Sequence, residues 1–98
     1  MRPLGNARHH FWLVQRMAGL NGLDLAGARA RGDLDQETWA DVVERCRGCD
    51  WTEGCERFLT KGVLAKRDGA EWPKQCRNRM SLAGLKVLEE MDADHEIQ

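Results

Sequence analysis

The chain has 98 residues and a mass of 11.2 kDa, room for one domain with a core and none for a large enzyme fold. Its 42% hydrophobic and 32% charged residues exclude a low-complexity linker or disordered tail. Fifteen Lys plus Arg against sixteen Asp plus Glu leave a formal charge of -1, so no overall positive field draws the chain to nucleic acid or to an anionic membrane. One Ile, five Val, three Thr and no Tyr, against abundant Leu, Ala, Glu and Arg, form a helical vocabulary and predict an all-α fold. Met1 to Gly5 leads straight into His9, His10 and Arg16 without a long apolar run, so a cytoplasmic protein is expected. No stretch approaches the about eighteen uncharged apolar residues that span a bilayer.

A first helix is predicted after Asn6 as N-cap, with Leu13, Arg16, Met17 and Leu20 at i, i+3, i+4 and i+7, ending near Gly19 to Gly22. Phe11 and Val14 widen its apolar stripe, and Trp12 falls on the flank, where a ring lying across the edge of the core is expected over a partner-binding surface. A short helix follows from about Asp24 to Arg31, closed by Gly32. Asp33 and Gln36 have the spacing of a capping box for a third helix. In it Trp39, Val42, Val43 and Cys46 share one face, which turns Cys46 inward.

Gly48 breaks the third helix, and Thr52 can cap a short fourth one in which Trp51, Cys55, Phe58 and Leu59 share a side. From Lys61 to Pro73, with Gly62, Gly69 and the Trp72-Pro73 pair, the periodicity lapses and a loop is expected. Cys76 lies just beyond it. Asn78 can cap a last helix holding Met80, Ala83, Leu85, Val87, Leu88 and Met91. One domain over 1–91 and a polar, flexible tail over 92–98 complete the expectation, a bundle of four to five short helices.

The cysteine spacing carries most of the chemistry: Cys46-x2-Cys49-x5-Cys55-x20-Cys76, with no others. In a reducing compartment four cysteines are expected as ligands rather than disulfides, and a ligated centre would staple a core too small to hold itself together. Four thiolates suit a structural zinc or a 4Fe-4S cluster. Zinc ribbons usually show two short pairs, and here the second pair is missing, which favours the cluster. Arg45 and Arg47 beside Cys46, Arg57 after Cys55, and Arg77 and Arg79 after Cys76 are expected to lower the thiol pKa values and offset a negative centre. Gly48 and Gly54 suit either close backbone approach to sulfide or ordinary turns, and Trp51 and Trp72 are candidates to shield the site.

The run Cys46-x2-Cys49-x5-Cys55 resembles the 4Fe-4S binding run of helix-hairpin-helix DNA glycosylases and the cysteine grouping of RecB-type nucleases, except that the lone cysteine follows the run here instead of preceding it. That resemblance implies cluster chemistry and not DNA repair, since the glycosylase hairpin, a basic groove and the nuclease active site are all missing from the sequence. Nearly the whole chain also resembles a family of short bacterial proteins, the domain of unknown function numbered 6455. The likeness rests on Met1-Arg2-Pro3-Leu4-Gly5, His10-Phe11-Trp12, Arg45-Cys46-Arg47-Gly48-Cys49 with Cys55, and Cys76 near Asn78. It implies a shared fold and cysteine centre without naming a reaction. Arg77 departs from the family pattern, where Asn follows the last cysteine.

His9 and His10 are adjacent and so point apart on a helix, which reads as ordinary surface or packing histidines; His95 falls in the polar tail. Asp33, Asp35, Glu37, Asp41 and Glu44 suit helix starts and solvated faces. No glycine-rich phosphate loop, nucleophile elbow or other catalytic constellation is present in the sequence. The expectation is a small cytoplasmic 4Fe-4S protein for electron transfer or redox sensing, with Cys46, Cys49, Cys55 and Cys76 as ligands and a protein redox or regulatory partner. The alternative is a structural zinc-binding interaction module. Two disulfides, or free thiols without metal, form a third reading.

Overall fold

The computed structural model describes residues 5–65 and 72–97. Among them the chain forms five α-helices and no strand: α1 Ala7–Leu20, α2 Leu25–Arg31, α3 Gln36–Arg47, α4 Thr52–Ala65 and α5 Arg79–Ile97. The all-α expectation holds, and no described helix is long and apolar enough to cross a membrane.

Local chemistry sets the helix ends. The Asn6 side chain accepts the His9 N–H at 3.0 Å, and the Asp24 carboxylate accepts the Gly27 N–H at 3.0 Å, so α1 and α2 start at capped positions. Gly32 closes α2 at φ 85°, a conformation open to glycine without a Cβ penalty. At α3 the expected Asp33–Gln36 box is replaced by Asp35, whose carboxylate accepts the Thr38 N–H at 2.8 Å. Leu34 is the reason: its side chain is driven into the core, the chain stays non-helical through it, and Asp33 turns to Arg31 at 3.1 Å.

α1 is the central element and packs on both α3 and α4. Its buried stripe is His10, Leu13, Val14 and Met17, with Ala18 beside it. Val42 of α3, Leu59 of α4 and Leu82 of α5 close on that stripe, and Leu23, Leu25, Ala28 and Leu34 extend the core beneath α2. Trp12, expected across the core's edge, is 58% exposed, its ring edge-on to Phe11. Ahead of α1, the Gly5 N–H donates to the Arg47 carbonyl at 3.0 Å and the Arg47 Nε donates to the Gly5 carbonyl at 2.8 Å. This reciprocal pair straps the N-terminal segment over the end of α3. A side chain at Gly5 would overlap the His10 ring, so glycine is what lets the strap close.

The expected loop from Lys61 is helix as far as Ala65, because Gly62 is a packing residue and not a breaker. It is buried, and a Cβ there would stand 2.6 Å from a Leu20 methyl, so its bare backbone lets α4 approach α1. The rest of that predicted loop, residues 66–71, lies outside the described residues. Trp72 packs against the core and Pro73 is buried.

α5 also departs from the expected pattern. Its core residues are Leu82 and Leu85, while Met80, Val87, Leu88 and Met91 are exposed. The helix passes residue 91, the boundary suggested by polarity, and continues to Ile97. Its start is fixed by Asn78, which is 2% exposed and donates its amide to the Val42 carbonyl at 2.8 Å while accepting Arg45 Nε at 2.9 Å. Farther along, Lys86 donates to the Gly22 carbonyl at 2.8 Å, and Glu89 accepts the Asp24 N–H at 2.8 Å. These contacts clasp the link between α1 and α2.

Asn78→Ala removes a buried side chain bonded to two groups of α3, at a cost of about 1–3 kcal/mol. A lowering of Tm by at least about 4 °C is expected for a domain of this size, read by thermal circular dichroism of reduced, chelator-treated protein. An unchanged Tm would show that these bonds do not hold α5 on α3.

Candidate functional site

The four cysteines come from four points where helices begin or end. Cys46 is in the last turn of α3, Cys49 follows the Gly48 cap, Cys55 is in the first turn of α4, and Cys76 is in the turn before α5. All four line a single small cavity of about 30 Å³ that is partly open to solvent. Leu13, Val14, Met17, Leu82 and Trp51 supply an apolar wall, and Arg77 and Asn78 complete it. The structure thus brings together every residue that the spacing singled out. Each cysteine is half-buried, and all four are thiols rather than disulfides.

Backbone geometry holds the sulfurs in place. The Cys49 N–H donates to the Cys46 carbonyl at 3.1 Å, making the tight turn that the two-residue gap requires. The Trp51 N–H donates to Cys49 Sγ at 3.4 Å. Cys49 Sγ in turn lies 3.9 Å from the Gln75 carbonyl, which joins it to the segment carrying Cys76. The Cys76 N–H donates to the Pro73 carbonyl at 3.0 Å, and Cys76 receives a hydrogen bond from the Asn78 N–H. N–H donors aimed at sulfur favour the thiolate, the form that binds metals.

His10 is the site residue that the sequence reading passed over. It is buried, with Nδ1 3.4 Å from Cys46 Sγ, and the Cys46 thiol donates to its backbone carbonyl at 3.5 Å. The signal was present: His10, Leu13, Val14 and Met17 stand at i, i+3, i+4 and i+7, so His10 belongs to the buried stripe. His9 behaves as expected of a surface residue and pairs with Glu56 at 2.7 Å. The side chain of His95 lies outside the described residues.

The model of a family of unknown function, DUF6455, matches residues 1–88, a span that includes the strap, α1 to α4, the four cysteines and the start of α5. The chain belongs to this family. No curated protein and no solved structure matches it. In this DUF6455 member the strap residue Gly5, the buried His10 and the cysteine run, read from sequence as separate islands of likeness, meet around one end of α1 and α3.

Electrostatics reverse the sequence expectation. Burial pushes the Cys46 thiol up to about 12 and the Cys55 thiol up to about 11, and it raises Cys76 as well; in all three the charge of neighbouring cysteines adds to the rise. The flanking arginines do not offset this because most are engaged elsewhere. Arg45 is bound to Asn78 and Ser81, Arg47 to Gly5 and Glu44, and Arg57 is exposed. Arg77 does line the cavity, 3.6 Å from Asp50. Arg16 near Cys55 and Arg79 near Cys76 pull downward but lose to desolvation.

The supporting residues divide in the same way. Trp51 lines the cavity, whereas Trp72 packs against the core. A Cβ on Gly54 would overlap the Trp51 indole, so that glycine makes room for the ring. Among the described residues, no group of three or more His, Cys, Asp and Glu side chains forms a ready metal-ion site.

The raised thiols set a pH dependence for the reduced, metal-free protein. Below about pH 9 Cys46 and Cys55 are protonated both folded and unfolded, and their contribution is constant. Between about 9 and the folded values of about 11 and 12, the unfolded chain has lost protons that the fold keeps, so stability falls. Chelator-treated protein is expected to show a falling Tm as pH rises above about 9, and a Cys46→Ala, Cys55→Ala variant a shallower fall. Equal slopes would refute the burial of these two thiols.

Proposed function

We propose that Cys46, Cys49, Cys55 and Cys76 hold a 4Fe-4S cluster, and that the protein acts in electron transfer or redox sensing through it. The observation that carries this reading is that four cysteines, scattered over three helix boundaries and a turn, line one apolar cavity. Four thiols gathered in one place are positioned to share a bound group. Their spacing lacks the two short pairs of a zinc ribbon.

The surroundings support the same reading. An apolar wall keeps water from a cluster, and backbone N–H groups aimed at Cys49 and Cys76 offer the hydrogen bonds to sulfur that set a cluster's potential. Arg77 supplies positive charge at the rim. Loading displaces thiol protons, so the same burial that keeps Cys46 and Cys55 protonated makes uptake dependent on pH. The role is that of a carrier or sensor rather than an enzyme. A carrier would show a stable, reversible potential, and a sensor would lose its cluster and its fold on exposure to air.

Anaerobic purification, a visible spectrum and iron, sulfide and zinc analysis of one sample test this. A brown protein with about four irons and four sulfides per chain is expected. A colourless protein with stoichiometric zinc would replace the reading with a structural zinc module, and metal-free protein would remove both. In the loaded protein, Cys76→Ser is expected to lower iron content and Tm together, because it frees the turn that carries α5. A variant keeping both would show that Cys76 is not a ligand.

A further inference from the structure

The buried stripe of α1 is apolar except for His10, which is 4% exposed. An imidazole taken out of water costs free energy unless its ring nitrogens are bonded, so its place beside Leu13, Val14 and Met17 calls for a partner. Nδ1 faces Cys46 Sγ at 3.4 Å. Its surroundings hold the ring in that pose. A Cβ on Gly5 would overlap Nε2, so the strap lies against the far end of the ring, and the His9 ring meets it edge-on with centroids 5.5 Å apart. The strap itself is anchored on Arg47, the residue after Cys46, by the two Gly5–Arg47 bonds of 3.0 and 2.8 Å. Strap, ring and sulfur form one closed circuit.

We propose that His10 is a positioning residue for the bound group, donating Nδ1–H to the Cys46 sulfur once that sulfur is a thiolate ligand; this rests on the cluster reading above. The proton carried by the sulfur decides the direction. As a thiol, Cys46 donates to the His10 carbonyl at 3.5 Å. Ligation removes that proton and leaves the sulfur between the negative end of the carbonyl and Nδ1. A bare Nδ1 would set a second lone pair against the charge, so the ring form that fits carries its proton on Nδ1.

Two of the other sulfurs have donors of their own: the Trp51 N–H points to Cys49 Sγ at 3.4 Å, and the Asn78 N–H to Cys76. His10 gives Cys46 from a side chain what Cys49 and Cys76 receive from the backbone. The positive end of an N–H aimed at a ligand sulfur stabilises the more negative, reduced state of a cluster and raises its potential.

The test uses the full chain, purified without oxygen, with His10→Leu and His10→Asn beside the wild type. Leucine suits the stripe but cannot donate, and the asparagine amide can place an N–H where Nδ1 stands. Redox titration followed by the visible spectrum is the readout, since a merely structural histidine would not set the potential. At the wild-type midpoint, His10→Leu is expected to lower the ratio of reduced to oxidised cluster by about three- to tenfold, and His10→Asn to recover most of it. Should His10→Leu fail to fold by circular dichroism, Gly5→Ala, which displaces the ring through the strap, is read in its place with the same lowering expected. An unchanged ratio in the folded variant, or His10→Asn as low as His10→Leu, would overturn the proposal and leave the cluster reading intact. If the wild type holds zinc, the cluster reading falls and the rate of zinc removal by a chelator decides. His10→Leu should then speed removal by at least about threefold and His10→Asn restore it, equal rates overturning the proposal. A wild type that binds neither metal overturns both.

Discussion

The burial of cysteine sulfur at one end of α1 is the constraint on which the rest of this small bundle turns: it raises the Cys46, Cys55 and Cys76 thiols together. Ionisation of Cys46 and Cys55 is opposed by burial first and by the other cysteines second, so these two thiols keep their protons in the metal-free protein. α1 makes the burial possible: its stripe is both the floor of the core and, through Leu13, Val14 and Met17, the wall of the cavity. Among the described residues, no separate layer of protein insulates the sulfurs. The core that holds the fold together is the medium that sets their chemistry.

Because the cysteines stand at helix ends, the cavity is also the place where chain segments join. The Cys46–Cys49 turn links α3 to α4, and the contact between Cys49 and the Gln75 carbonyl ties that turn to the approach to α5. The N-terminal strap reaches the same corner through Gly5 and Arg47. α5 is fixed by the Asn78 contacts at its start and by the Lys86 and Glu89 clasp at its middle. In a chain with so little apolar area to bury, polar bonds and sulfur carry positional work that a larger core would do by packing.

Much of this was legible in the sequence where one physical rule acted alone. The helical period placed Cys46 and Cys55 on inward faces, and Asn6, Asp24 and Gly32 ended their helices by ordinary capping. The reading failed where two rules competed. Gly62 breaks helices by propensity, but here tertiary contact with Leu20 wins and keeps α4 running. Asp33 has the spacing of a cap, yet Leu34 gains more from burial, so Asp35 takes the role. α5 is apolar on two sides, and periodicity cannot say which side meets the core. The arginines near the cysteines illustrate the limit of proximity along a chain: neighbours in sequence, Arg45 and Arg47 send their charges to Asn78 and Gly5.

The contact between His10 and Cys46 separates ligation from covalent catalysis as uses for these thiols. At 3.4 Å the pair has the spacing of a nucleophilic cysteine and its base. Such a pair works by charge separation, with a depressed thiol and a raised imidazole. Here the thiol is pushed up to about 12 by burial, and burial together with the charges of His9 and Arg47 pulls His10 below the ordinary imidazole value. Both partners are held neutral, which disables a nucleophile. Only a bound cationic group, as in the proposed cluster, would change that balance, by compensating the thiolates from within the cavity.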